Sequence, residues 1–261
     1  MSTPIQLIDT HIHLYDEAFR ADLDQVMRRS QRSGVKKLYM PNLNAESIAP
    51  MLALEAQHPA RVRSMVGLHP CYVNEHFEQE LYAIEEVLQK HPFVAVGEVG
   101  MDLHRSTAHR DRQQAAFDVQ VKWAKRHRLP LSLHCREAFT PAVRTLEKHQ
   151  DGSLTGVFHC FGGRLKEAHQ IMDLGFVIGI GGIVTFKNAA LPGVVRYIPL
   201  EYLVLETDGP YLAPSPHRGT RNEPAYLVAV AERLAEIKQI SFGDVAAVTT
   251  ENALRIFEKN P

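Results

Sequence analysis

QLIDTHIHLYD, residues 6–16, begins with a short apolar run and continues through two histidines without a glycine. An open sheet that binds a dinucleotide carries a glycine-rich turn directly after its first strand, and this stretch offers no such turn. The run also begins a series, because eight short apolar runs recur at intervals of roughly thirty residues, the length of one strand-plus-helix unit. The eight runs are residues 6–9, 37–41, 63–67, 94–98, 131–134, 155–159, 176–181 and 203–208.

The segments between the runs have helical periodicity. Residues 77–88, 111–127 and 227–237 each place apolar side chains on one face of a helix. The runs themselves are apolar on both faces, as parallel strands are when helices cover them. Strict alternation allows a doubly wound open sheet or a closed barrel, and eight countable strands favour a (β/α)8 TIM-like barrel. Eight such units use the whole chain, so we expect residues 1–261 to form one domain.

Composition limits the possible partners and compartments. Hydrophobic residues make up 45% of the chain, which fits a large core, and the net charge of −1 gives no overall attraction for polyanions or anionic membranes. Without a basic leader or an apolar run near 18 residues, we expect no signal peptide, no membrane contact and a cytoplasmic protein. Cys71, Cys135 and Cys160 are too few and too irregularly spaced for a disulfide framework, so they are expected to pack as small apolar residues, with a metal-binding thiol as the alternative.

Six of the eight runs lead to a side chain that can bind a metal ion or move a proton. In a barrel the carboxyl ends of all strands meet at one rim, where active sites lie. His11 and His13 are two residues apart on extended chain and therefore face the same way. Glu98 lies among apolar residues and glycines, where a carboxylate is costly to bury without a cation. The six candidate metal ligands are His11, His13, Glu98, His134, His159 and Asp208.

Four imidazoles and two carboxylates suffice for two divalent metal ions, with Glu98 as the bridge. This ligand set suits zinc, manganese or iron, and magnesium is also used. Asp208 lies on the last strand, beside the first in a closed barrel, so it can ligate and also accept a proton from water. Glu206 shares its face and is expected to orient its neighbours. His69, in GLHP, is expected to donate to a phosphate or a leaving oxygen, with a structural turn as the alternative. Asp208, Glu98 and His69 are therefore the candidate catalytic residues for hydrolysis.

Arginines near the same rim predict a substrate that carries phosphate. Arg136 follows the fifth run, where a guanidinium would grip a phosphate with two hydrogen bonds. The proline-rich residues 209–224 carry Arg218, Arg221 and Asn222, and for Asn222 a helix cap competes with a ligand contact. We predict Arg136 and Arg218 as the substrate contacts, and DNA or another phosphodiester as the substrate.

The motifs DTHIHL, GLHP, GEVGMD, LHCRE, HCFGG and ETDGPYLAP with RGTRNEP resemble, in order and spacing, the TatD-related hydrolases of the metal-dependent amidohydrolase superfamily. The resemblance spans nearly the whole chain. It implies a TIM-like barrel, a divalent-metal phosphodiesterase centre and deoxyribonuclease activity, and it implies the same six ligands. The chain departs from the family pattern at Tyr15, where an acidic residue is frequent, at Gly162, where Ser or Thr is frequent, and at Leu103, where an aromatic residue is frequent. We expect these departures to alter substrate contacts.

Three functions remain open at this level. The first is a metal-dependent nuclease that trims DNA from an end. The second is a hydrolase of esters, lactones or amides on the same barrel, which the near-neutral charge favours because it gives no broad nucleic-acid footprint. The third is a scaffold without catalysis, which the six ligands argue against, since a scaffold has no physical need for buried charge.

Overall fold

Strands and helices alternate along the computed structural model, which describes residues 6–104 and 106–258. The strands are β1 (Leu7–Asp9), β2 (Val35–Pro41), β3 (Val62–Met65), β4 (Val96–Asp102), β5 (Leu131–Arg136), β6 (Gly156–Phe158), β7 (Val177–Ile180) and β8 (Leu203–Leu205). The helices are α1 (Leu23–Arg32), α2 (Ala45–Gln57), α3 (Phe77–Leu88), α4 (Arg110–His127), α5 (Phe139–His149), α6 (Leu165–Asp173), α7 (Leu191–Val195), α8 (Leu227–Lys238) and α9 (Phe242–Phe257). Within the described ranges, none of these helices is both long enough and apolar enough to cross a membrane.

The eight strands are parallel and follow one another in chain order around a ring. β1 to β3 form one run of paired strands and β4 to β8 form the other. Val66 pairs with Val96 between β3 and β4, and the Gly97 amide donates to the Val66 carbonyl at 2.9 Å. Between β8 and β1, the Thr10 amide donates to the Leu205 carbonyl at 3.0 Å. These two joins close the ring, and the predicted TIM-like barrel is confirmed.

The last helix covers the amino-terminal end of the barrel. Ile8, Tyr39 and Val204 come from three strands and pack in one buried cluster with Ile256 and Phe257 of α9. The rings of Tyr39 and Phe257 lie 4.7 Å apart. Because α9 covers this end, the carboxyl ends of the strands form the rim where a site can meet solvent.

Two strands continue further than the sequence predicts. Glu98 was expected to end the fourth strand, but it is the third residue of the seven in β4, and β5 likewise continues past His134. The pairing of β4 with β5 shifts register between Gly97 and Val99, so Glu98 has no partner on β5. Such a bulge redirects a side chain without ending the strand, which is how Glu98 reaches the site from inside β4.

Candidate metal centre

Glu98 lies at the centre of a cluster of histidines and is only 2% exposed. Its Oε1 is 2.8 Å from His159 Nε2 and 2.9 Å from His134 Nδ1. Its Oε2 is 3.2 Å from His11 Nε2 and 3.5 Å from His13 Nε2. The two oxygens therefore face different histidines, and one carboxylate stands between two places where a cation can be held.

Asp208 completes the group on the His11 side. Its Oδ1 lies 3.9 Å from His11 Nε2 and 3.7 Å from His13 Nε2. The Asp208 amide donates to the His11 carbonyl at 2.9 Å, and Asp208 has a φ of 58°, an uncommon conformation for a residue other than glycine. Burial raises the pKa of Asp208 well above its usual value, and the nearby charge of Glu98 adds to the effect. A bound cation would allow both carboxylates to stay ionised.

The protonation states of Glu98, His11 and His13 suit a divalent cation. Burial favours the neutral form of Glu98, but the surrounding imidazoles, above all those of His69 and His159, lower its pKa well below 4.5. Burial lowers the pKa of His11 well below 6.5 and that of His13 to about 4, so both are neutral at pH 7. Neutral imidazoles beside an ionised carboxylate are the form that binds metal. Among the residues that the structure describes, three groups have ligand atoms within 4.8 Å of one another: His11, Glu98 and His159; His11, His13 and Asp208; His69, Glu98 and His134.

Outer hydrogen bonds orient the two histidines that follow β1. His13 Nδ1 lies 3.0 Å from the Tyr15 hydroxyl, and that hydroxyl donates its own proton to the Pro41 carbonyl at 2.7 Å. The Tyr15 oxygen therefore accepts from His13 Nδ1–H, which leaves the Nε2 lone pair directed at the cluster. His11 Nδ1 lies 3.3 Å from Ser132 Oγ. Tyr15 thus supplies the acceptor that fixes the His13 tautomer.

Asp102 is a site residue that the sequence prediction missed. Its Oδ2 lies 2.9 Å from His134 Nε2, on the opposite side of the ring from Glu98, and Asp102 is 2% exposed. Burial alone would lower the pKa of His134, but hydrogen bonds to Asp102 and Glu98 outweigh it and raise the pKa to about 9. Asp102 follows Glu98 by an even number of residues on β4, and this spacing was the available signal that both side chains face the same way.

His69 directs an N–H group at Glu98. Its Nδ1 accepts a hydrogen bond from the Cys71 amide at 3.0 Å, and its Nε2 lies 3.2 Å from Glu98 Oε1. Burial lowers the pKa of His69, so the ring is neutral and carries its single proton on Nε2. His69 therefore donates a hydrogen bond toward Glu98, whereas His13 directs a lone pair at the cluster.

Glu206 stands behind His159 and is fully buried. Its Oε1 accepts from the Cys160 amide and lies 3.8 Å from His159 Nδ1, while its Oε2 has no hydrogen-bond partner within the described residues. Burial raises the pKa of Glu206 to about 8. Gly179 makes room for it, because a β-carbon there would overlap the Glu206 carboxylate. This position, outside the ring of ligand atoms, is compatible with an orienting role for Glu206.

Of the three arginines named in the sequence analysis, Arg136 and Arg218 are exposed, and Arg221 forms an ion pair. Arg136 is exposed at the end of β5. Arg218 is exposed and places its guanidinium 3.6 Å from the centre of the Phe186 ring. Arg221 instead donates to Asp22 Oδ1 at 2.6 Å and to its Oδ2 at 2.9 Å. The guanidinium of Arg221 is thus held by a carboxylate, and Arg221 was not among the predicted substrate contacts.

Asn222 organises the chain after β8. Its side-chain amide donates to the carbonyls of Thr207 at 2.6 Å and Tyr211 at 2.8 Å, and its oxygen accepts from the Glu223 amide at 2.9 Å. Asn222 is fully buried. It therefore braces this loop internally, a role that differs from both the helix cap and the ligand contact considered from the sequence.

A parallel barrel whose rim gathers histidines and carboxylates in this way is typical of metal-dependent hydrolases. Residues 8–258 match the model of the family described as TatD related DNase, and the chain belongs to this family. It is 36% identical over 255 residues to the uncharacterized metal-dependent hydrolase YabD of Bacillus subtilis, covering 97% of this chain and 100% of YabD. It is 31% identical to the 3'-5' ssDNA/RNA exonuclease TatD of Erwinia tasmaniensis, covering 96% and 99% of the two chains.

The solved structures agree with the family assignment. The crystal structure of YjjV, a TatD homolog from Escherichia coli, superposes with a TM-score of 0.93 at 31% identity, covering 99% of this chain and 100% of that one. A TatD family hydrolase from Entamoeba histolytica superposes with a TM-score of 0.85 at 22% identity, which shows the shared fold.

Proposed function

We propose that this chain is a divalent-metal-dependent phosphodiesterase, most specifically a deoxyribonuclease, that works with two metal ions. The observation that carries the proposal is the position of Glu98, whose two oxygens face two separate groups of ligand atoms. One group would be His11, His13 and Asp208. The other would be His134 and His159, which lie 2.9 Å and 2.8 Å from Glu98 Oε1, so that Glu98 is shared between the two groups. Ions of zinc, manganese or magnesium suit this mixture of nitrogen and oxygen ligands.

Divalent ions held there supply a water nucleophile at neutral pH and offset the negative charge that develops on a phosphoryl group. Asp208 would take the proton of the attacking water, a role supported by the position of its Oδ1 beside His11 and His13 and by the 14% exposure of its side chain to solvent. His69 carries a proton on Nε2 and would stabilise the leaving oxygen by donating a hydrogen bond to it. Arg136 and Arg218, both exposed, would hold neighbouring phosphates.

A non-catalytic scaffold does not account for this arrangement. Burying a carboxylate such as Glu98 costs several kcal/mol unless a cation or good hydrogen bonds compensate. A scaffold gains nothing from that cost, whereas a metal-dependent hydrolase requires the buried ligands. The name of the TatD exonuclease from Erwinia tasmaniensis also supports a nucleic-acid substrate among the hydrolases.

A substrate panel tests the proposal. The purified chain, loaded with Mn²⁺, Zn²⁺ or Mg²⁺, is incubated with a single-stranded DNA oligonucleotide, a carboxylic ester, a lactone and an amide. We expect release of nucleotides, and we expect Asp208→Asn to lower the rate by about 10²- to 10⁴-fold because it removes the base. Hydrolysis of the ester, lactone or amide with an intact oligonucleotide would favour the alternative function, and equal DNA cleavage by Asp208→Asn would contradict the assigned mechanism.

A further inference from the structure

Two exposed aromatic rings flank one side of the metal centre. Tyr72 is 42% exposed, and its ring centre lies 6.1 Å from that of His69. Tyr211 is 50% exposed, and its ring centre lies 6.2 Å from that of His13. The Nε2 atoms of these two histidines lie 3.2 Å and 3.5 Å from the oxygens of Glu98. Each tyrosine thus lies next to a histidine that contacts Glu98.

The backbone holds both tyrosines in place. The Tyr72 amide donates to the His69 carbonyl at 2.9 Å, in the short turn that follows β3. The Tyr211 amide donates to the Asp208 carbonyl at 2.9 Å, and its own carbonyl accepts from the Asn222 side chain at 2.8 Å. A ring presented from a braced backbone binds a ligand with less loss of conformational entropy than one on a loose loop.

Tyr72 and Tyr211 reach the same carboxylate from different loops. Tyr72 lies in the turn after β3, and Tyr211 lies in the chain after β8. The histidines beside them direct their Nε2 atoms at the two oxygens of Glu98, His69 at Oε1 and His13 at Oε2. The two rings therefore border one site.

We propose that Tyr72 and Tyr211 form a stacking platform for the unpaired bases next to the phosphodiester that is cleaved, an inference that rests on the proposed function. Every base has an aromatic face that stacks on tyrosine, which makes such platforms tolerant of sequence. A double helix hides these faces within its own stack, so the platform favours single strands and frayed ends. Tyr72 and Tyr211 are specificity-determining residues in this view, and the ions and Asp208 perform the reaction.

Binding to metal-free protein tests the platform without requiring cleavage. In the presence of a chelator, fluorescence anisotropy measures the Kd of the full chain for a fluorescein-labelled single-stranded pentathymidylate and for an abasic pentamer with the same phosphates. We expect Tyr72→Leu and Tyr211→Leu each to raise the Kd for the pentathymidylate about tenfold and to leave that for the abasic strand unchanged. Tyr72→Phe and Tyr211→Phe, which keep the ring, should bind like the wild type.

The matched control is Tyr82→Leu, which removes a 68% exposed tyrosine from α3 and should change neither Kd. Equal binding of both strands by the wild type, or an equal loss for both strands in the leucine variants, would overturn the platform. Its failure is distinguishable from that of the proposed function. If the protein cleaves phosphodiesters but its binding does not depend on the bases, only the platform is refuted. If its binding depends on the bases but it cleaves no phosphodiester, the proposed function is refuted.

Discussion

Hydrogen bonds on the outer side of each imidazole decide what that imidazole can do at Glu98. The Tyr15 hydroxyl accepts the Nδ1 proton of His13, so His13 directs a lone pair inward. The Cys71 amide donates to Nδ1 of His69, so His69 directs a proton inward. Two histidines at similar distances from one carboxylate are therefore suited to different tasks, metal binding for His13 and hydrogen-bond donation for His69.

Replacing His69 by phenylalanine should separate these tasks. His69→Phe keeps a ring and removes the Nε2–H donor, so we expect kcat to fall by about 10²- to 10³-fold, as when a hydrogen-bond donor to a developing negative charge is lost. Because His69 carries its proton toward Glu98, we expect the number of bound metal ions to stay as in the wild type. Steady-state kinetics and elemental analysis of the same preparation check both statements, and a loss of metal would instead identify His69 as a ligand.

Replacing Tyr15 by phenylalanine should act on metal binding through His13. Tyr15→Phe keeps the ring and removes the acceptor of the Nδ1 proton, so we expect metal affinity to fall about 10- to 100-fold. Competition with a chromogenic chelator measures the change. Tyr82→Phe, at an exposed position on α3, is the matched control. Unchanged affinity in Tyr15→Phe would show that the His13 tautomer does not depend on this hydroxyl.

At the level of elements, apolar runs and helical periodicity locate the strands and helices because each strand is covered on both faces. The helix predicted over residues 77–88 is α3 to the residue. The ends of β4 and β5 are not predictable in this way, because pairing between the two strands, with its bulge at Glu98, determines where they stop. The partners of Arg221 and Asn222 also depend on tertiary contacts, and no local pattern encodes Asp22 as the acceptor for Arg221.

Gly179 on β7 makes room for the side chain of Glu206, the residue that follows β8. The β-carbon of Gly179→Ala would overlap the carboxylate of Glu206, which is buried and cannot move aside freely. We expect a loss of about 1–3 kcal/mol in the free energy of unfolding, typical of overpacking, measured by urea denaturation. Gly193→Ala in α7 is the control, because nothing lies within 4 Å of the added carbon and its effect should be neutral or slightly stabilising. Equal stability of the two variants would contradict the predicted overlap.

At the level of the whole molecule, charged contacts tie the first helical unit to the chain after the last strand. Asp22 Oδ2 accepts from Arg29 at 2.9 Å, and Asp22 Oδ1 accepts from Arg221 at 2.6 Å. Arg29 also donates to both oxygens of Glu223, at 2.6 Å and 2.7 Å. This network joins residues about 200 positions apart and supports the closure of β1 against β8.

Because of this network, part of the free energy of unfolding should depend on pH in the acidic range. Hydrogen bonds from Arg221 and then Arg29 lower the pKa of Asp22 below its usual 3.8. The unfolded chain therefore binds a proton there at higher pH than the folded chain does, so this stabilisation is present above about pH 4 and is lost as the pH falls through the lowered pKa. We expect Asp22→Asn to be less stable near neutral pH and to lose less stability on acidification. Urea denaturation at several pH values measures this.

Asp24→Asn provides the comparison for that experiment. Asp24 is exposed on the same helix, α1, and makes no ion pair within the described part of the chain. We expect its pH dependence to match that of the wild type. If Asp22→Asn and Asp24→Asn lose stability equally on acidification, the network does not contribute to acid sensitivity.

The central claim is that the barrel rim brings ligands from several strands together around a pair of divalent ions shared by Glu98. The most direct measurement is the number of metal ions per chain, by elemental analysis of protein purified without chelator and confirmed by calorimetric titration of metal-free protein. The predicted result is two divalent ions per chain in the wild type and fewer in Glu98→Gln. No bound metal in the wild type, or an unchanged count in Glu98→Gln, would contradict the claim.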